Sequence, residues 1–131
     1  MITTLALAAA LTQPTACQGA QPAITNVTST STQSDGVTHF TLTAIVANLG
    51  PIDQSGNDLQ SVDILLDGAK NGEKGIPPLR SGQLYSFVYN VDRNADAAQG
   101  STDVKLHLVQ HGPPLAVQNC AADGDRYEVK L

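Results

Sequence analysis

The sequence predicts an all-β fold, an antiparallel sandwich of about seven strands, and three observations carry that prediction. From residue 23 onward, short apolar stretches of period two alternate with turn clusters. Twelve Thr and eight Ser stand beside 11 Gly and 7 Pro, with one Met and no Trp, a balance that suits strands and turns. No stretch carries the 3.6-residue apolar period of an ordinary helix. At 131 residues, 41% of them apolar, the chain suits one domain and is too short for a multi-domain enzyme. A net charge of -5 repels phosphate backbones and anionic lipid, which argues against nucleic acid as a partner.

Residues 1–20 read as a signal peptide or apolar N-terminal segment, and residues 21–131 as the sandwich domain. The Leu- and Ala-rich run over 2–11 is followed by Thr12-Gln13-Pro14-Thr15-Ala16-Cys17, an h-region and a small-residue cleavage zone. The run is about half the ~20 residues needed to span a bilayer, so no transmembrane segment is expected. No Lys or Arg precedes it. The competing reading uses the alternation of Leu5, Leu7, Ala9 and Leu11 with small residues. That pattern fits a strand paired within the chain or with a neighbouring subunit. An ordinary helix or tail is the third alternative.

The first strand falls over residues 24–31 and is Thr/Ser-rich, suited to a sheet edge. Residues 37–48 follow, with Phe40, Leu42, Ala44 and Val46 on one face and Thr41 and Thr43 on the other, and Gly50-Pro51 ends the run. In 61–67, Val62, Ile64 and Leu66 oppose Asp63 and Asp67; Asp67-Gly68 and Asn71-Gly72 then read as turns. Tyr85, Phe87, Tyr89 and Val91 alternate with Ser86 and Asn90, leaving Leu84 and Val88 on the outer face. Val104, Leu106 and Leu108 alternate with Lys105 and His107, and Tyr127, Val129 and Leu131 close the chain. The expected core is these large apolar side chains at period two, enough for a single core.

The run Phe40-Thr-Leu-Thr-Ala-Ile-Val-Ala-Asn48-Leu49-Gly50, then Val62-Asp-Ile-Leu-Leu-Asp67-Gly68, then Pro78-Leu79-Arg80-Ser81-Gly82 leading into Tyr85-Ser-Phe87-Val-Tyr89, resembles CARDB-type domains. The resemblance covers about residues 24–131. It implies an immunoglobulin-like sandwich of the kind found in bacterial and archaeal cell-surface proteins, with a role in cell adhesion and no shared catalytic residues. Gly50, Gly68 and Gly82 in these motifs are expected to supply positive φ at strand ends. The chain departs from the family before its last strand, where His111-Gly112-Pro113-Pro114 and the Cys120-containing stretch to Asp125 replace an acidic, Asn-rich segment.

Chemistry is sparse. His39, His107 and His111 are scattered in sequence, no Gly-x-Ser-x-Gly elbow occurs, and Asp and Glu are spread singly, so no enzyme activity is expected. Asp92-Arg-Asn94-Ala-Asp96 offers oxygen ligands at alternate positions, with Asp103 twelfth, as in a calcium loop. Ala97 replaces the Gly that such a loop needs, and Asp103 is shorter than the bidentate Glu. A polar turn in which Asn94 and Asp96 bond their own backbone is therefore the favoured reading, and calcium is the sole cofactor candidate. Asp123-Gly124-Asp125 is a weaker one, and Asn26-Val27-Thr28 fits a glycosylation triplet by strand composition alone. Two cysteines without histidine at ligand spacing make no zinc site.

The expected function is a non-catalytic exported module for cell-surface adhesion, scaffolding or protein assembly, whose partners are proteins or other cell-surface components. The alternatives are a filament or surface-layer subunit that donates its N-terminal segment as a strand, and a small exported calcium or ligand binder. In an exported chain Cys17 and Cys120 are expected to pair, unless Cys17 is lipidated, for which Pro14 stands where a Leu is usual. A bridge closing a loop of about 100 residues stabilises by up to ~4.7 kcal/mol on the chain-entropy model. Loss of ~3 kcal/mol on reduction lowers the thermal midpoint by about 10 to 20 °C. Thiol titration of the denatured, unreduced protein should find no free thiol; two per chain would remove the bridge.

Overall fold

The computed structural model describes residues 18–56, 59–94, 100–111 and 123–131. Its seven strands are β1 (Pro22–Ser34), β2 (Val37–Asn48), β3 (Gln60–Leu66), β4 (Ala69–Ile76), β5 (Leu84–Asn94), β6 (Asp103–Gln110) and β7 (Arg126–Lys130), with one 3₁₀ turn at Asp123–Asp125. They form two antiparallel sheets, a three-stranded one in the order β1-β2-β5 and a four-stranded one in the order β4-β3-β6-β7. The expected sandwich of about seven strands is what the chain forms.

The core sits between the sheets because alternate residues of each strand turn inward. Phe40, Leu42, Val46, Val62, Ile64, Phe87, Val104, Leu106 and Leu108 are buried, with Leu66, Tyr85, Tyr89, Tyr127, Val129 and Leu131 half-buried against them. Period two in the sequence identifies all of these. Leu79, fully buried, belongs to no strand and escapes that reading.

Three expectations need correction. Asn71-Gly72 is not a turn: it lies inside β4, with Gly72 opposite Ile64 beside a bulge. Asp67 and Gly68, with φ of 47° and 89°, already reverse the chain in two residues, as Asp35 and Gly36 do between β1 and β2. β4 is an edge strand of Lys, Glu and Gly whose only buried residue is Ile76, so it carries no apolar alternation to read. Gly50 is not a positive-φ residue; a Cβ there would overlap the carbonyl oxygen of Gly19, so close backbone approach is what requires glycine. Finally, β5 continues to Asn94, which places Asp92 and Asn94 in a strand and not in a loop.

One end of the sandwich is gathered by Asn48, which is fully buried. Its Oδ1 accepts the N–H of Gln21 (2.9 Å) and of Gly50 (3.0 Å), and its Nδ2 donates to the carbonyls of Ile52 (2.8 Å) and Leu79 (3.1 Å). Its own N–H donates to Gln83 and its carbonyl accepts from Gly82. Beside it, the buried amides of Gln54 and Gln60 bond each other reciprocally at 3.0 and 2.8 Å, and Gln54 Oε1 also accepts the N–H of Leu79. Every polar group of the Asn48 side chain is thus satisfied, as burial demands. Asn48→Ala orphans two amides and two carbonyls. At about 1 kcal/mol each, the substitution should lower the thermal midpoint in circular dichroism by roughly 10 °C or more.

Candidate functional site

Strand alternation and the observed register assign the outer face of the three-stranded sheet. Thr28, Thr30, Thr32 and Ser34 of β1 lie beside Thr43, Thr41, His39 and Val37 of β2, which in turn lie beside Val88, Asn90, Asp92 and Asn94 of β5. The short polar side chains of β1 suit an edge, and they leave the face rich in hydroxyls. Thr41 Oγ1 donates to Asn90 Oδ1 at 3.4 Å.

At the hairpin end of this face three residues meet. Asp92 Oδ1 lies 2.7 Å from His39 Nδ1, and His39 Nε2 lies 3.1 Å from Ser34 Oγ. The carboxylate accepts the Nδ1 proton, and in the neutral imidazole Nε2 is then the lone-pair nitrogen facing the hydroxyl. His39 and Asp92 are cross-strand partners in register, and Ser34 reaches them because the two-residue turn at Asp35-Gly36 folds β1 directly onto β2. In sequence the histidines read as scattered, and this group is not legible there. The only signal available was alternation: His39 and Asp92 both fall on outward positions of strands that had not yet been paired.

The same sheet has two edge strands. β5 is bonded on one side to β2 and, among the described residues, to no strand on the other. Its outward Leu84 and Val88 are 65% and 49% exposed, an apolar pair next to open backbone groups.

The outer face of the four-stranded sheet is a different surface. Glu73, Asp63, His107 and Arg126 form one row across β4, β3, β6 and β7. Opposite charges pair around it, Lys70 with Glu73 (2.8 Å) and Asp63 (3.4 Å) and Lys105 with Glu128 (3.4 Å), and His107 Nε2 lies 3.6 Å from Asp125 Oδ2. The hydrogen bond from Lys70 holds the Glu73 carboxyl below the usual carboxylate range, and the same bond raises the Lys70 ammonium. Both groups are exposed, so the pairing adds little to stability. His111 Nε2 lies 2.6 Å from Ser61 Oγ, but Ser61 is buried.

The described calcium candidates are divided between the two sheets. Asp92 is engaged by His39, Asn94 ends β5 opposite Val37, and Asp96 lies outside the described residues. Asp103 opens β6 in the other sheet, 3.1 Å from Lys130 Nζ, while its N–H donates to Asp67 Oδ1. No group of three or more metal-ligating side chains is present among the described residues. Asp123 and Asp125 sit on the 3₁₀ turn, where Gly124 packs on Ala23. Cys17 and Cys120 both lie outside the described residues, as do residues 1–17 of the apolar segment. No helix among the described residues is long and apolar enough to cross a membrane.

No family model and no curated protein matches the chain. Solved structures do. The CARDB domain of a Pyrococcus furiosus protein, described in complex with di-metal ions, is similar with a TM-score of 0.61 and 9% identity, over 91% of this chain and 92% of that one. A domain from Methanosarcina acetivorans, described as that of a cell surface protein, is similar with a TM-score of 0.55 and 19% identity, over 87% and 91% of the two chains. A Bordetella pertussis protein described as ApaA follows with a TM-score of 0.51 and 14% identity, over 88% and 91%. At such identities the likeness is one of fold. The chain therefore has a CARDB-like fold.

Proposed function

We propose that the chain is an exported immunoglobulin-like module for cell-surface adhesion, scaffolding or protein assembly, acting through its surfaces and not by turnover. The observation that carries this reading is the CARDB-like fold shared with a domain described as that of a cell surface protein. Two features support it. The outer face of the four-stranded sheet is polar and charge-paired, suited to solvent, and among the described residues the sandwich leaves strand edges available to a partner. Proteolysis of intact cells that make the native protein tests the location: the chain should be digested before lysis. Protection until the cells are opened would sink the reading.

The edge of β5, which pairs with no strand among the described residues, favours a second reading, in which the chain is a subunit of a filament or surface layer. The alternating segment containing Leu5, Leu7, Ala9 and Leu11 would add to β5 of a neighbouring copy, beside Leu84 and Val88. Light scattering of the full chain should then show concentration-dependent oligomers that Val88→Lys dissociates without lowering the thermal midpoint. A chain that stays monomeric at all concentrations, or oligomers indifferent to the substitution, would remove strand donation at this edge.

A further inference from the structure

We propose that Ser34 is a site of covalent acylation, its hydroxyl activated by His39 as general base with Asp92 as the positioning residue. The inference goes beyond the surface-module reading and does not depend on it. It rests on the two contacts described above: 3.1 Å from Ser34 Oγ to His39 Nε2, and 2.7 Å from His39 Nδ1 to Asp92 Oδ1. Nucleophile, base and orienting acid thus stand in the order that activates a serine, each within hydrogen-bond reach and each on the correct imidazole nitrogen.

Strand pairing brings the three residues together, His39 and Asp92 across 53 positions and Ser34 across the hairpin, so the group is held by the sheet and not by a loop. Position also matters. Ser34 is exposed at the last residue of β1, beside the turn, where an acyl donor can approach it. The other serine–histidine contact, Ser61 with His111, is closed to a donor by the burial of Ser61. Most serine and threonine hydroxyls on the same strand have no imidazole partner among the described contacts. They are poor nucleophiles at neutral pH.

The step balances without a further reactant. Ser34 Oγ attacks the carbonyl carbon of an activated ester as its proton passes to His39 Nε2. The tetrahedral intermediate collapses with loss of the alkoxide or aryloxide, which takes the proton from His39. The product is an O-acyl Ser34 and one free alcohol. No side chain among the described contacts of the group is placed to stabilise an oxyanion, a contribution commonly worth about 10²-fold or more in rate. The donors it fits are therefore esters with good leaving groups, such as aryl esters, and not amides.

The experiment uses the full chain and p-nitrophenyl acetate, with intact-protein and peptide mass spectrometry to locate the acetyl group. Ser34 should be labelled roughly 10²-fold faster than Thr30 and Thr32 on the same strand, the usual size of a general-base contribution. Ser34→Ala should abolish that label, His39→Gln should bring Ser34 down to the rate of its neighbours, and Asp92→Asn should slow it. Ser34 and Asp92 are exposed and His39 is half-buried on the outer face, outside the core, so unchanged circular dichroism spectra are expected in all three variants. The positioning role has its own readout: nitrogen-15 NMR should find the His39 proton on Nδ1, redistributed between the two nitrogens in Asp92→Asn. Labelling of Ser34 no faster than of Thr30 and Thr32, or a rate indifferent to His39→Gln, would overturn the proposal.

Discussion

A single buried amide organises one end of this domain. Asn48 closes β2, yet its side chain bonds the backbone of Gln21 before β1, of Gly50 and Ile52 after β2, and of Leu79 in the segment leading to β5. No apolar side chain could replace it, because two donors and two acceptors would be left without partners in a site that excludes water. Gly50 has to be glycine for a steric reason: the backbone of residues 19–21 lies where a Cβ would go. The Asn-Leu-Gly sequence at the end of β2 is therefore one structural unit. The paired amides of Gln54 and Gln60 extend it toward β3, and Gln110 Nε2 of β6 joins by donating to Gln60 Oε1.

With that end tied, the two sheets differ in how they meet solvent. The four-stranded sheet alternates charge across its rows, so that Lys70, Lys105 and Lys130 each face a carboxylate. Its edge strand β4 is short of apolar residues and rich in charge, which discourages pairing with another chain. The three-stranded sheet is guarded less. β1 carries hydroxyls, and β5 exposes Leu84 and Val88 beside a backbone edge that pairs with no strand among the described residues. If a partner adds to the domain, this sheet offers the lower desolvation cost.

The opposite end of the core is closed by Arg93. Its guanidinium stands 5.1 Å from the centroid of Phe40 and donates to the carbonyl of Leu131 and to Thr102 Oγ1. An inward-pointing charge near the end of β5 is tolerated because the side chain reaches both polar and aromatic partners. Ser34, His39 and Asp92 lie on the other face of the same strand ends. The β2–β5 pairing thus positions the core closure and the serine–histidine–aspartate group at once.

Much of this was legible in the residues. Period-two burial needs only that one face of a strand be covered, so Phe40, Leu42, Val62, Ile64, Phe87 and Leu106 could be assigned inward before any pairing was known. β4 could not be read, because this edge strand fills its inward positions with Gly72 and Lys74 before Ile76 and so carries no apolar pattern. The calcium reading of Asp92 and Asn94 assumed a loop; β5 runs through both residues because β2 is long enough to pair with them as far as Val37. Leu79 and Asn48 were visible as motif residues but not as a bonded pair, since that contact spans 31 positions. Sequence by itself determined which side chains face inward, since alternation is a property of one strand. Tertiary structure alone decided which strands lie side by side, and with them the meeting of Ser34, His39 and Asp92, because register is set between strands.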